Sequence, residues 1–246
     1  MRVFVTGASG WIGSAVVPEL LEAGHEVVGL ARSDEAASAL AAAGASSHRG
    51  SLDDLQSLRE GAAASDGVLH LAFKHDFSDY AGAGRTERAV VETFGDTLAG
   101  SDRPFLFASG IAVVAPGRMV TERDAAAASG PDAPRGGGEW LALEYAERGV
   151  RSVSLRFAPS VHGDGDTGFV STLVGVARDT GVSGYVGDGA NRWPAVHRLD
   201  CARMIRLALE KAPAGSAVDG VADEGIPARE IAEAIGCGLG LSLIHI

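Results

Sequence analysis

Three glycines near the start of the chain have the spacing of a phosphate-binding loop. Gly7, Gly10 and Gly13 follow the apolar run 2–6, and apolar residues then recur at helical spacing. In such a loop the first glycine permits a tight turn, the second lets a pyrophosphate approach the backbone, and the third lets the helix pack on the strand. The helix N-terminus adds N–H donors and partial positive charge. This context predicts a dinucleotide-binding loop, with a tight turn that binds no ligand as the alternative.

The loop sequence TGASGWIG, with its glycines spaced three and three, resembles that of the extended and atypical short-chain dehydrogenases/reductases, the NAD-dependent epimerase/dehydratase family. Later segments resemble further strands and turns of that family; these are VLHLAF at 68–73, FLFASG at 105–110, RFAPSVHG at 156–163 and WPAVHRLD at 193–200. The resemblance therefore spans nearly the whole chain up to Gly240.

Stretches with strand character alternate with stretches with helix character, which favours a mostly parallel sheet covered by helices. The predicted strands are 2–6, 25–30, 47–50, 67–71, 104–108 and 151–156, and the predicted helices after the first are 35–43, 52–61, 86–99, 139–148, 169–179, 201–211 and 228–235. With the resemblance, this implies an α/β fold: a Rossmann-type doubly wound parallel sheet with a small C-terminal substrate lobe. We expect an NAD(P)-binding Rossmann domain over 1–156 and the lobe, interleaved with the sheet's C-terminal edge, over 157–240.

The last six residues, LSLIHI, match the translation of a transposon end used in sequencing libraries. We therefore expect 241–246 to be a non-native tail that follows a truncated lobe, and exclude it from the predicted fold. An ordinary apolar tail is the alternative.

The resemblance also implies which residues contact a cofactor. Along the glycine loop and the fourth strand they are Gly7, Ser9, Gly10, Trp11, Ile12, Gly13, Leu71, Ala72 and Phe73. Ser51 and Leu52 fall where the family usually has an aspartate and an apolar residue against the adenine. Arg135 is a further candidate for a ribose or a phosphate, although it cannot act as a base because arginine stays protonated in proteins.

The end of the second predicted strand bears on the choice of cofactor. NAD-using relatives bind the ribose hydroxyls there with an acid, whereas this chain has Ala31, Arg32 and Ser33. A guanidinium and a hydroxyl suit a 2′-phosphate, so Arg32 and Ser33 predict NADP, with NAD possible. In the alternative, Arg32 is solvated and Asp34 reaches the ribose.

The superfamily's usual proton-transferring pair, a tyrosine four residues before a lysine, is missing from this sequence. Glycine stands four residues after every tyrosine; the tyrosines are Tyr80, Tyr145 and Tyr185. Two alignments with the family's helix remain open: one puts Gly136 and Trp140 at the two positions, and the other puts Arg135 and Glu139 there. Neither restores the pair.

Other residues could carry a proton in place of that pair. Ser109 stands at or beside the position of the family's catalytic serine, for which Gly110 competes. A replacement acid could be Tyr80 or His162, since histidine titrates near physiological pH. Lys74 and His75 are further possibilities, and a surface or packing role is the alternative for each. We thus take Ser109, Tyr80 and His162 as the catalytic candidates; no metal site is predicted, because no His or Cys group has ligand spacing.

Composition excludes several classes of protein. Hydrophobic residues make up 46% and charged residues 22% of the chain, as in globular domains. The net charge of −11 makes nucleic acid an unfavourable partner. No apolar run reaches the roughly 18 residues of a membrane span, and no signal peptide is evident, so we expect a cytoplasmic protein with a small-molecule substrate and no membrane partner. The resemblance adds the possibility of a homodimer.

These features favour an NADP-dependent oxidoreductase that moves hydride between its cofactor and a small carbonyl or alcohol. Two alternatives stay open. The missing Tyr–Lys pair favours a non-catalytic NADP-binding sensor or regulator. The resemblance also allows a nucleotide-sugar epimerase or dehydratase, which the absent tyrosine disfavours because that chemistry needs a proton acceptor.

Overall fold

The chain begins with a strand, a glycine loop, a helix and a second strand. In the structure, a computed structural model that describes residues 1–75, 78–113, 117–125 and 129–246, these are β1 (Arg2–Thr6), α1 (Gly13–Glu22) and β2 (Glu26–Ala31). The apolar residues at helical spacing on α1 are buried, as the sequence pattern requires. The first βαβ unit predicted from the sequence is therefore present.

The next elements continue the alternation. They are α2 (Asp34–Ala42), β3 (Ser46–Arg49), α3 (Leu55–Ala63), β4 (Gly67–His70), α4 (Tyr80–Leu98), β5 (Pro104–Gly110), α5 (Gly138–Glu144) and β6 (Arg151–Phe157). Single 3₁₀ turns occupy Ile111–Val113, Pro134–Gly137 and Tyr145–Arg148. The last part of the chain contains β7 (Ser160–His162), α6 (Phe169–Thr180), β8 (Val182–Tyr185), β9 (Arg192–His197), α7 (Arg198–Lys211), β10 (Ser216–Gly220), β11 (Asp223–Pro227), α8 (Ala228–Leu239) and β12 (Ser242–His245).

The chain divides into two compact units. The first comprises 1–156 and 202–219, and the second comprises 157–201 and 220–246. The first segment ends at residue 156, and the predicted division into an NAD(P)-binding domain and a substrate lobe stays a prediction. Residues 202–219, which the sequence prediction placed in the lobe, group with the first unit because β10 lies beside β6 in its sheet.

The first unit is built on a seven-stranded sheet with the order β10-β6-β5-β4-β1-β2-β3. Its strands from β3 to β5 pair in parallel, and β1 has β2 on one side and β4 on the other. The chain therefore reverses its direction of winding between β1 and β4. That reversal creates a crevice at the carboxyl ends of these two strands, which is where doubly wound sheets bind ligands. The predicted Rossmann-type fold is confirmed.

Aromatic side chains hold the sheet to the helices that carry the site. Phe94 of α4 packs edge-on against Phe4 of β1 and Phe105 of β5, with ring centroids 6.1 and 5.8 Å apart. All three rings are fully buried, and each such side chain contributes on the order of 1.5–3 kcal/mol through burial. The helix α4 is thereby fixed over β1 and β5.

The second unit has two small sheets of its own. In one, β9 pairs in parallel with β7 and antiparallel with β11; in the other, β8 pairs in parallel with β12. The tail 241–246, excluded from the predicted fold, supplies β12 (Ser242–His245). Within the described ranges, no helix combines the length and the apolar character that crossing a membrane requires.

Candidate cofactor and active site

The glycine loop after β1 is shaped by backbone contacts that exclude side chains. Gly7 has φ = 70°, and a Cβ there would lie 2.8 Å from the backbone nitrogen of Ala72. A Cβ on Gly13 would lie 2.1 Å from the carbonyl oxygen of Gly7. Gly10 differs, because a Cβ there would meet only that same oxygen, at 3.2 Å. The fold therefore requires glycine at positions 7 and 13, whereas Gly10 leaves the backbone accessible to an approaching group.

Hydrogen bonds tie the loop to the end of β4. The amide of Leu71 donates to the carbonyl of Thr6 at 3.2 Å, and the amide of Ala72 donates to the Thr6 hydroxyl at 3.3 Å. That hydroxyl also shares a hydrogen bond with Nδ1 of His70 at 2.6 Å. Burial, and secondarily the charge of Arg135, lowers the pKa of His70 to about 3. His70 is thus a neutral structural residue that locks β1 to β4 at the crevice.

The segment after β4 presents the half-buried residues Leu71, Ala72 and Phe73 beside this loop. The guanidinium carbon of Arg135 lies 4.4 Å from the centroid of the Phe73 ring, within the range of a cation–π interaction. The predicted contacts of these residues with a cofactor stay predictions, since the structure describes the protein alone.

Arg135 is held by a buried carboxylate on α4. Its Nε donates to Oε2 of Glu87 at 3.0 Å, its Nη2 donates to Oε1 of Glu87, and Nη2 also donates to the carbonyl of Ala108 at 3.0 Å. Arg135 adopts φ = 54°, a left-handed conformation that non-glycine residues adopt rarely. Burial raises the pKa of Glu87 to about 7, against the opposing effect of Arg135. The arginine is therefore fixed at the ends of β4 and β5.

We expect the Glu87→Gln variant to change the pH dependence of stability. A carboxyl whose pKa is raised from 4.5 to about 7 by folding stabilises the native state fully below pH 4.5, and this contribution is lost as the pH rises through about 7. The wild type should therefore lose about 2 kcal/mol relative to the variant between pH 5 and pH 8. Urea unfolding at both pH values measures the difference. An equal difference at the two pH values would contradict the raised pKa.

A second buried network surrounds Ser109 at the end of β5. Oγ of Ser109 donates to Oε2 of Glu139 at 2.6 Å, and Nε of Arg156 donates to Oε1 of the same carboxylate at 2.6 Å. Ser109, Glu139 and Arg156 are only 5%, 6% and 1% exposed. Nη2 of Arg156 also donates to the carbonyl of Asp124 at 2.8 Å, and its Nη1 lies 3.9 Å from Oδ1 of Asp219. From the sequence, Glu139 was placed at the lysine position of the family in one of two possible alignments, and Arg156 was not identified as its partner.

The opposite edge of the crevice, after β2, carries two arginines. Arg32 is exposed, and the hydroxyl of Ser33 accepts from the amide of Ala36 at 3.2 Å as the N-cap of α2. Arg49, the partner of Ala31 in the β2–β3 register, donates to the carbonyl of Ser33 at 2.5 Å and lies 3.0 Å from Oδ1 of Asp34. Sequence reasoning missed Arg49, although pairing the ends of β2 and β3 would have placed it beside Ala31.

Ser51 and Leu52 follow β3 at the same edge. The hydroxyl of Ser51 accepts from the amide of Asp53 at 3.3 Å, and Leu52 packs on the hydrophobic core. Their predicted roles at an adenine stay predictions, as do those of Ser9, Trp11 and Ile12 in the loop, of which Ser9 is exposed and the other two are half-buried.

The replacement acids proposed in the first unit cluster around Phe73. The ring centroids of His75 and Tyr80 lie 5.3 and 6.1 Å from that of Phe73. Tyr80 is 39% exposed at the start of α4, and Nζ of Lys74 forms an ion pair with Oδ1 of Asp53 at 2.5 Å. Tyr80 thus stays a candidate for the proton donor, whereas Lys74 is paired with a carboxylate on the surface.

His162 lies in the second unit, at the end of β7. It is the register partner of His197 on β9, and the two ring centroids are 5.5 Å apart. Nδ1 of His197 accepts from the amide of Leu199 at 3.3 Å. A catalytic role for His162 stays a prediction.

Comparison with known proteins gives the relationship of the chain. The model of the NAD-dependent epimerase/dehydratase family matches residues 3–219. The chain belongs to this family. The resemblance drawn from the glycine loop and the later segments is thereby confirmed.

Two fungal proteins, both described as uncharacterized, are similar to this chain over almost its full length. A protein of Schizosaccharomyces pombe is 49% identical over 100% of this chain and 83% of its own length. One of Saccharomyces cerevisiae is 45% identical over 96% of this chain and 80% of its own length. A third relative, the 4-hydroxy-2-methyl-3-oxo-4-farnesyl-3,4-dihydroquinoline-1-oxide ketoreductase of Stigmatella aurantiaca, is 30% identical over 87% of this chain and 66% of its own length.

Two solved structures show the same fold. A dTDP-glucose 4,6-dehydratase of Streptomyces venezuelae with NAD and TYD bound has a TM-score of 0.81 at 22% identity, over 100% of this chain and 84% of its own. The UDP-glucose 4-epimerase of Thermus thermophilus in complex with NAD has a TM-score of 0.78 at 20% identity, over 100% and 86%.

Proposed function

We propose that this protein is an oxidoreductase that binds NADP(H) in the crevice between β1 and β4 and acts on a small carbonyl or alcohol. The observation that carries the proposal is the glycine loop at the switch point, whose backbone is open at Gly10 and closed at Gly7 and Gly13. A bound nicotinamide cofactor supplies or accepts a hydride. The chain would bind its pyrophosphate with the loop and the N-terminus of α1.

The residues after β2 fit a 2′-phosphate better than a free ribose diol. Arg32 and Arg49 give this edge two arginines, and a guanidinium is the side chain best suited to bind a phosphate. The Ser33 hydroxyl accepts from the amide of Ala36 and is hydrogen-bonded to Glu35, so the arginines carry the preference. The acid nearest to the end of β2, Asp34, forms an ion pair with Arg49. These contacts support NADP over NAD.

We expect Arg32→Ala to weaken NADPH binding by roughly 10- to 100-fold and NADH binding by much less, because only NADPH has a phosphate for the guanidinium to pair with. Fluorescence titration of both cofactors measures the change. Arg229→Ala, which removes an exposed arginine that pairs with Glu233 on α8, serves as the control. Equal losses for the two cofactors would reject Arg32 as the selecting residue. A loss of NADH binding on Asp34→Ala would favour NAD instead.

The ketoreductase relative supports a ketone or aldehyde as the oxidised substrate. The test is the consumption of NADPH by the purified protein with a panel of aliphatic and aromatic aldehydes, ketones and quinones. Turnover of at least one compound is the expected result. If NADPH binds tightly and no compound is reduced, the protein is a cofactor-binding sensor or regulator, which the missing Tyr–Lys pair favours. Nucleotide sugars are assayed in parallel, and conversion of these compounds alone would favour the epimerase or dehydratase alternative.

A further inference from the structure

The network around Ser109 differs from a simple buried ion pair because its carboxylate also accepts a hydrogen bond from a hydroxyl group. Both oxygens of Glu139 are used, one by Nε of Arg156 and one by Oγ of Ser109, each at 2.6 Å. A serine hydroxyl has one proton and two acceptor sites. Because its proton points to Glu139, Ser109 can accept a hydrogen bond from a substrate hydroxyl at the same oxygen.

The position of the serine places this oxygen at the site. Ser109 lies near the end of β5, which pairs with β4 in the register His70–Phe107. The adjacent residue, Ala108, accepts from Arg135, which covers Phe73 after β4. The hydroxyl is thus on the carboxyl edge of the sheet that carries the glycine loop.

We propose that Glu139 is a positioning residue and proton acceptor that acts through Ser109, in place of the family's tyrosine and lysine. This inference rests on the proposed oxidoreductase function. Ser109 is the catalytic residue, because its oxygen touches the reacting hydroxyl. Arg156 compensates the charge of the buried Glu139 carboxylate and fixes the orientation of that carboxylate. The guanidinium is itself held in place, because its other nitrogens donate to the carbonyls of Asp124 and Thr121.

The step balances with the nicotinamide cofactor as the hydride acceptor. In the oxidation of an alcohol, the substrate C–H bond breaks as its electron pair and hydrogen leave for the nicotinamide. The substrate O–H proton bonds to Oγ of Ser109, and the proton of Ser109 bonds to Oε2 of Glu139. The products are a carbonyl compound, reduced cofactor and a protonated Glu139, which returns its proton through the Ser109 hydroxyl after the product has left. Reduction of a carbonyl is the reverse.

Kinetics of Ser109→Ala, Glu139→Gln and the double variant test the relay with the best compound of the carbonyl panel. General acid–base catalysis is worth roughly 10²- to 10⁴-fold, so each single variant should lower kcat by about 100-fold or more. NADPH affinity should change by no more than about threefold, and KM should rise by no more than about tenfold, the effect of one lost hydrogen bond to the substrate in Ser109→Ala. The double variant should be no slower than the worse single variant, because the two residues act as a unit.

Further readouts separate a relay from a structural role. Ser109→Thr keeps a hydroxyl and should recover most of the kcat that Ser109→Ala loses. In NMR spectra, a protected hydroxyl proton of Ser109 should be present in the wild type and absent in both single variants. Glu19→Gln, which breaks the carboxylate–Arg206 pair between α1 and α7, is the matched control and should keep the wild-type kcat.

Each remaining outcome counts against a defined claim. If the wild type binds NADPH but reduces nothing, the proposed function fails and the relay is rejected with it. If the wild type reduces a compound of the panel and Glu139→Gln has the wild-type kcat, only the relay is rejected. The same holds if the loss of kcat in the double variant equals the product of the losses in the two single variants. Should Glu139→Gln fail to fold, the comparison of Ser109→Ala with Ser109→Thr decides: equal kcat values overturn the proposal.

Discussion

Gly10→Val is expected to abolish nucleotide binding while the protein still folds, with a loss of unfolding free energy of no more than about 2 kcal/mol. A Cβ at this position meets the Gly7 carbonyl at 3.2 Å and no other atom within 4 Å, so a shift of a few tenths of an ångström in the loop relieves the contact. The added side chain projects where the pyrophosphate must approach the backbone. We expect the affinity for NADPH to fall by more than about 100-fold, which corresponds to about 3 kcal/mol of lost binding free energy.

Calorimetry and urea unfolding of the same preparation test both halves of this prediction. Gly238→Val is the matched control, because Gly238 lies in α8 of the second unit with no atom within 4 Å of an added Cβ. It should bind NADPH as the wild type does. Unchanged binding by Gly10→Val would show that the loop is not the cofactor site.

Among the substitutions proposed for this protein, Arg156→Met is expected to lower the free energy of unfolding the most. Arg156 is 1% exposed and faces Glu139 at 2.6 Å and Asp219 at 3.9 Å. Removing one partner from a buried ion pair leaves uncompensated charge and costs about 3–5 kcal/mol. Burial, together with the charge of Glu122, already raises the pKa of Asp219 to about 6, and loss of the guanidinium removes the effect that opposes this rise.

Urea unfolding at pH 7.5 measures the loss, and a second substitution tests its cause. Adding Glu139→Gln to Arg156→Met should restore more than half of the lost stability, because it removes the charge left without a partner. Arg206→Met, which breaks a more exposed ion pair with Glu19, should cost no more than about 1 kcal/mol. Equal losses for the two arginine variants would contradict the proposed role of burial.

The central strands and the glycine loop could be predicted because local sequence determines them. Apolar runs predicted β1, β2, β4, β5 and β6 with ends within two residues of those observed, since strands buried on both faces leave little choice of residue. The start of α4 was wrong: it lies at Tyr80 and not at residue 86. Gly82 and Gly84 in its first turns obscured the helix pattern, and the cap by Asp79, which accepts from Gly82 at 2.8 Å, was not recognised.

The polar networks and the small strands could not be predicted because they depend on contacts distant in sequence. Glu139 lies 30 residues from Ser109 and 17 from Arg156, and only the adjacency of β5, α5 and β6 brings them together. One signal was present: Arg135 and Glu139 are spaced as the family's tyrosine and lysine are. The strands β7 to β12 are short and partly exposed, and the pairings of the larger fold, rather than intrinsic propensity, decide whether such segments form strands.

The chain leaves the first unit at Arg156 and again at Asp219, and these two residues form a buried ion pair. The segment 157–201 is therefore inserted between β6 and β10, two adjacent strands of one sheet that the Arg156–Asp219 pair also links. Lengthening such an insertion is cheap, because each doubling of a flexible connection adds only about 0.6 kcal/mol to its closure cost. Evolution can thus exchange or enlarge the inserted and trailing segments while the sheet that carries the glycine loop keeps its register.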